Sequence, residues 1–136
     1  MDPTKERVLK AVDEKGMIEL ARLMVETPSL TLEETDLALL MERYLKDEGF
    51  ETQLQEVEKG KFQTIGRIRG SGRGQSIMFC GHLDIFPPSI SAKDPYKAVV
   101  KDNCIYGAGI ADMKAGDTAM VMAADAVKRS GVELKG

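Results

Sequence analysis

Two short segments of this 136-residue chain hold the side chains best suited to chemistry. The first is Gly81-His82-Leu83-Asp84. In an extended segment alternate side chains share a face, so His82 and Asp84 point the same way. An imidazole can ligate a metal, and a carboxylate beside it can hold the other ring nitrogen and set its tautomer. The second is Tyr106-Gly107-Ala108-Gly109-Ile110-Ala111-Asp112-Met113-Lys114-Ala115-Gly116. Its glycines let backbone pack close to a site, and Asp112 offers a carboxylate at the mouth of a helix. The chain has one histidine, so metal chemistry built within it relies on His82 and carboxylates. Each segment alone also has an ordinary reading. His82 can be a hydrogen-bonded loop histidine, and Asp112 an N-cap. A phosphate cradle is disfavoured: there is no Gly-Lys-Ser/Thr, and the glycines do not follow the dinucleotide spacing. Nucleotide binding would be saturable and lost on replacing Gly109.

The elements that must position these residues read as a mixed α/β chain. Met17, Leu20, Ala21 and Met24 form one apolar helical stripe, with Val8, Leu9 and Val12 as an earlier turn. Gly16 weakens the middle, giving one kinked helix or two short ones, and Pro28 ends the helix. Thr31 and Glu34 match a capping box ahead of Leu37, Leu40, Met41, Tyr44 and Leu45, and Gly49 suits the closing left-handed position. Glu33-Glu34 then falls in the first helical turn, where carboxylates suit the dipole. Residues 51–57 and 62–69 read as strands around a Lys59-Gly60 turn, followed by a solvated loop at 70–74. Ser76-Ile77-Met78-Phe79-Cys80 reads as a strand buried on both faces, just before His82, with Cys80 as a small hydrophobe. Val99 to Tyr106 reads as a hairpin turning at Asp102-Asn103, with Cys104 partly exposed. A last helix carries Ala119, Met122, Ala123, Ala126 and Val127, with Gly131 closing it. Lys114, at its start, could act on the site electrostatically but reads rather as a structural salt bridge or a solvent-facing stem. In open α/β sheets ligands gather beyond the carboxyl ends of strands, where His82 falls.

Taken together, the two segments resemble the co-catalytic zinc exopeptidases and deacylases. That family includes acetylornithine deacetylase, succinyl-diaminopimelate desuccinylase, aminoacylase and glutamate carboxypeptidase. The resemblance rests on Gly81-His82-Leu83-Asp84-Ile85-Phe86-Pro87-Pro88, Asp94-Pro95-Tyr96, Val100-Lys101-Asp102, Ile105-Tyr106-Gly107-x-Gly109 and Asp112-Met113-Lys114-x-Gly116. It also covers Thr27-Pro28-Ser29 and Glu33-Glu34. The resemblance implies that His82 binds one zinc and that Asp84, a catalytic residue, orients that histidine. It implies that Asp112 bridges two zincs, with a cis peptide to Met113. It implies a three-layer mixed sheet flanked by helices, of which residues 1–136 are the amino-terminal part of the catalytic domain. The chain departs from the pattern in three ways. It has no tryptophan before Asp94-Pro95-Tyr96, and Ala108 stands where arginine is common. The general-base glutamate, the remaining ligands and the inserted lid and dimerisation domain lie beyond the matching stretch.

The implied activity is zinc-dependent hydrolysis of the amide bond of an N-acyl amino acid or small peptide, with two Zn2+ per site and Co2+ or Mn2+ as substitutes. The full-length protein is expected to be a homodimer, and this chain alone inactive. The competing reading is a non-catalytic truncated module that folds alone or assembles with a partner, without hydrolase activity. Composition narrows the field further. Hydrophobic residues are 43% and charged residues 30%, the balance of a globular domain. A net charge of -3 argues against a basic nucleic-acid-binding face. No apolar run approaches the ~20 residues of a membrane span. The charged amino terminus does not read as a signal peptide, and two cysteines make no disulfide framework, so the expected setting is cytoplasmic. The ending just past a helix reads as cut off, leaving sheet edges prone to association.

Overall fold

The structure is a computed structural model and describes residues 2–136; Met1 of the amino-terminal reading lies outside them. The first helical region is two helices. α1 spans Pro3–Lys10 and α2 spans Glu14–Glu26. The break falls before Gly16, where Asp13 caps α2 by accepting the Gly16 N–H at 2.9 Å. α2 stops as expected before Pro28, with Thr27 already extended at φ -102 and ψ 103. Its buried residues are Leu20, Ala21, Met24 and Val25.

α3 covers Thr35–Asp47 and buries Leu37, Ala38, Met41 and Leu45. Gly49 follows at φ +77, as a left-handed closing residue should. The capping box is not formed. Glu34 occupies the cap position without a side-chain cap bond, so Glu33-Glu34 precedes the helix. Glu34 Oε1 instead accepts the Leu32 N–H at 2.7 Å, one residue past the Thr31 N–H that the box requires. The Thr31 hydroxyl is used elsewhere: it donates to Asp84 Oδ2.

β1 (Glu51–Glu58) and β2 (Lys61–Arg67) form an antiparallel hairpin that packs on α3. β3 (Val99–Lys101) and β4 (Cys104–Tyr106) form a second hairpin. Its turn residues Asp102 and Asn103 both have positive φ, the two-residue turn that matches strand twist. These are two separate two-stranded sheets, so the described residues are mixed α/β with small antiparallel sheets. Residues 76–80 are not a strand and are exposed, with Ile77 and Met78 each at 85%. The apolar run expected to be buried has no backbone partner among the described residues. Cys80 is therefore exposed, as is Cys104.

α4 runs Ala115–Arg129 and ends at Gly131, φ +64. Its buried face is Thr118, Met122, Asp125 and Ala126, while Ala119 and Ala123 of the expected stripe are exposed. The core is helical. Leu20 and Met24 of α2, Leu37 and Met41 of α3 and Met122 of α4 form one buried cluster. Leu83 packs against that cluster from the Gly81–Asp84 segment.

Candidate metal centre

That Leu83 contact sets the site. Burying Leu83 turns His82 and Asp84 to the opposite side of an extended segment. The segment is anchored next to α2: the Ile85 N–H donates to the Ser29 carbonyl at 2.9 Å, and the Ser29 hydroxyl donates to the Leu83 carbonyl at 2.7 Å. Leu30 and Ile85 pair as an isolated parallel bridge. Ser29 itself is fully buried.

Asp112 arrives from the other side on the irregular stretch Ile110–Lys114. Asp112 (φ -147, ψ 97) and Met113 (φ -128, ψ 29) are not helical, so Asp112 is not the N-cap of α4. The Asp112–Met113 peptide is cis, as the resemblance implied. Gly109 makes the approach possible. It sits at φ +73, and a Cβ there would lie 2.1 Å from Ile85 Cγ2. Only glycine suits both the left-handed backbone and that contact.

His82 stands between two carboxylates. Its Nδ1 lies 3.1 Å from the Asp84 carbonyl oxygen and 3.2 Å from Asp84 Oδ1. Its Nε2 lies 3.2 Å from Asp112 Oδ1. Burial by itself lowers the imidazole pKa. The Asp84 carbonyl, the Asp112 hydrogen bond and the two carboxylate charges outweigh it and hold His82 above its ordinary value. The His82 and Asp112 side chains are open to solvent, at 49% and 75% exposure. A depression lined by Ile85, Phe86, Gly107 and Ile110 ends at Asp112.

The donors fit part of a zinc site. Imidazole nitrogen and carboxylate oxygen are both zinc ligands, and two donors 3.2 Å apart can share one ion at about 2.0–2.2 Å from each. Asp84 on Nδ1 leaves Nε2 as the ligating nitrogen. The set is incomplete, however: among the described residues no group of three or more His, Cys, Asp or Glu side chains could hold an ion. The sequence placed His82, Asp84 and Asp112 together, and the structure brings them together.

Two further residues matter here: the sequence misplaces Lys114 and does not single out Asp117. Lys114 is fully buried and donates from Nζ to the carbonyls of Met24 (2.6 Å) and Thr27 (2.9 Å). It is therefore not a solvent-facing stem, and its ammonium is held by backbone carbonyls rather than by a salt bridge to a carboxylate. It answers the orphaned carbonyls at the end of α2, a role the chain order of residues 24, 27 and 114 does not reveal. Burial pulls its pKa down to about 8, against a smaller upward pull from Asp117. Asp117 is 6% exposed and its Oδ2 has no hydrogen-bond partner. Burial pushes its pKa up to about 6, countered by His82 and then Lys114. Its Oδ1 lies 1.9 Å from where a Cβ on residue 81 would stand, so Gly81 lets the Asp117 carboxyl lie against the His82 segment.

With this geometry in hand, comparison with known proteins is decisive. The description of peptidase family M20/M25/M40 matches residues 78–136, which include His82, Asp84 and Asp112. The chain belongs to this family. It is 31% identical over 115 residues to a succinyl-diaminopimelate desuccinylase of Bordetella petrii, covering 82% of this chain and 30% of that protein. It is 36% identical over 110 residues to an acetylornithine deacetylase of Photorhabdus laumondii, covering 71% and 28%. It is 32% identical over 120 residues to a succinyl-diaminopimelate desuccinylase of Gluconacetobacter diazotrophicus, covering 86% and 31%. This M20-family chain thus spans about 30% of the length of the curated relatives it matches. No helix among its described residues is long and apolar enough to cross a membrane.

Proposed function

We propose that residues 1–136 are the amino-terminal portion of the catalytic domain of a di-zinc amide hydrolase acting on N-acyl amino acids or small peptides. The observation that carries this reading is the convergence of His82 Nε2 on Asp112 Oδ1 at 3.2 Å, with Asp84 on the other ring nitrogen. The named relatives, a desuccinylase and a deacetylase, support the substrate class. His82 and Asp112 would hold the metal, with Co2+ or Mn2+ able to replace zinc. When bound, the metal supplies polarisation of the amide carbonyl and an acidified water. His82 contributes a nitrogen lone pair, Asp84 the orientation of the ring, and Asp112 the negative charge. The Ile85–Phe86 depression provides an apolar wall beside them.

The general base and remaining ligands belong to the rest of the domain, where a three-layer sheet would be completed. So do the lid and the dimer contacts of the complete homodimeric protein. This chain alone is accordingly inactive. A cytoplasmic setting fits small-molecule amino-acid chemistry. The second reading, a non-catalytic module that assembles with a partner, is favoured by the incomplete ligand set.

The test assays N-acetyl and N-succinyl amino acids, with zinc, on the 136-residue chain and on the full product of its gene. Turnover is expected only from the full product, and only with His82 intact. Turnover by the short chain that is abolished by His82→Ala would overturn the inactivity. A full product that binds zinc and turns over neither substrate series would leave the non-catalytic reading standing.

A further inference from the structure

The missing capping box points to a component of the site. We infer that Thr31 is a positioning residue of the His82–Asp112 pair: its hydroxyl, donated to Asp84 Oδ2 at 2.8 Å, holds the carboxylate that holds the imidazole. The inference rests on reading His82 as a metal ligand.

The Asp84 carboxylate has two oxygens, and each has one task. Oδ1 faces His82 Nδ1 at 3.2 Å, and Oδ2 accepts the Thr31 hydroxyl. A carboxylate held at both oxygens cannot rotate about its terminal bond without losing a contact. The imidazole facing it inherits that restriction. Thr31 is thereby drawn from the helix it was expected to cap: α3 begins four residues later, without a side-chain cap bond. A hydroxyl in this position is worth about as much as the cap it replaces, since both are single bonds involving a charged or orphaned group.

The segment carrying Thr31 is tied to both halves of the site. At residue 27, the Thr27 carbonyl accepts Lys114 Nζ at 2.9 Å, two residues from Asp112. At residue 29, the buried Ser29 bonds Leu83 and Ile85, which flank Asp84. Residues 27–31 therefore form a strap between the Asp112 stretch and the His82 segment. Thr31 is the point where the strap touches a functional side chain. Its own side is exposed, so the bond is not explained by a need to satisfy a buried hydroxyl.

The experiment uses the 136-residue chain with its imidazole labelled with 15N. One histidine means one pair of ring-nitrogen signals, which report the tautomer once the pH is raised enough to neutralise the ring. Thr31→Val removes the hydroxyl and keeps the branched shape; Thr31→Ser keeps the hydroxyl. Zinc affinity is read separately by competition with a chromophoric chelator, and melting temperature checks folding. Thr31→Val is expected to lower the fraction of Nδ1–H tautomer and to weaken zinc by about three- to tenfold, less than the 10–100-fold typical when a ligand's direct partner is lost. Thr31→Ser is expected to restore both. Thr31→Ala serves if the valine variant does not fold. A folded variant without the hydroxyl, with tautomer and zinc affinity both unchanged, overturns the inference. A tautomer shift in a chain that binds no zinc upholds the positioning role while removing the metal-ligand reading.

Discussion

Asp117 has an unusual environment for a carboxylate. Its carboxyl is buried at the first turn of α4 with one oxygen unpartnered, facing the His82 segment and Lys114. Its pKa is near 6 in the native chain and 3.8 in an unfolded one. The native state therefore binds the extra proton between about pH 4 and 6, and raising pH across that window favours unfolding. A shift of this size corresponds to about 2–3 kcal/mol. Asp117→Asn should remove this contribution. Urea unfolding of the metal-free chain at pH 4 and pH 7 should show the wild type losing that much more stability than the variant; parallel losses would refute the assignment. Gly81 gives a second expectation from the same contact. Gly81→Ala places a methyl 1.9 Å from Asp117 Oδ1, and overpacking of this kind costs about 1–3 kcal/mol. The loss should appear in the same unfolding assay, and Gly81→Ala/Asp117→Gly should recover part of it. Full wild-type stability in the alanine variant would mean that α4 does not approach the His82 segment this closely.

Among the elements, the joint between α2 and α4 determines whether Asp112 meets His82. Lys114 makes that joint by donating to the Met24 and Thr27 carbonyls. Lys114→Met keeps the stem but leaves those acceptors without a donor, at about 1–3 kcal/mol for each buried group. Removing a buried charge returns part of that, so the expected net loss is about 2–3 kcal/mol by denaturant unfolding at pH 7. The sign of the pH dependence adds a check. Lys114 releases its proton near 8 when folded and near 10.5 when unfolded, so wild-type stability rises with pH through that window. The gap between wild type and Lys114→Met should widen there, and a constant gap would argue against a buried ammonium. At the other end of α4, Arg129 reaches Asp13, Glu48 and Asp125, tying the helix to the start of α2 and the end of α3. These joints explain what the sequence could disclose. Helices α2 and α3 and both hairpins follow local signals: an apolar stripe, Pro28, Gly49, Lys59-Gly60 and Asp102-Asn103. Thr31 carried the correct local signal for a cap, yet a carboxylate 53 positions away takes its hydroxyl. Lys114 and the buried face of α4 depend on which helices lie alongside, information that period and propensity do not contain. The pairing of His82 with Asp112 was legible through the family that the two motifs together resemble, not from either motif alone.

Across the whole molecule, the chief departure from expectation is Ser76–Cys80. The run has the composition of a buried strand, but Ile77, Met78 and Phe79 stand 85%, 85% and 57% exposed. Composition reports what a segment needs, and partners decide whether it is met. Here the helical core covers Leu83 and Ile85 but does not reach the preceding run. Paired as a strand, the run would put Ile77 and Phe79 on one face and Met78 on the other. An exposed apolar run without a backbone partner among the described residues can pair with another chain. The 136-residue chain should therefore self-associate as its concentration rises. Sedimentation velocity would show the weight-average mass climbing above that of one chain. Replacing Ile77 and Phe79 together by lysine should return it to a single chain, because two charges on one face make pairing costly. Neither side chain belongs to the buried cluster, so melting temperature should change little. A wild-type chain that stays monomeric at every accessible concentration would show that residues 76–80 find cover within their own molecule.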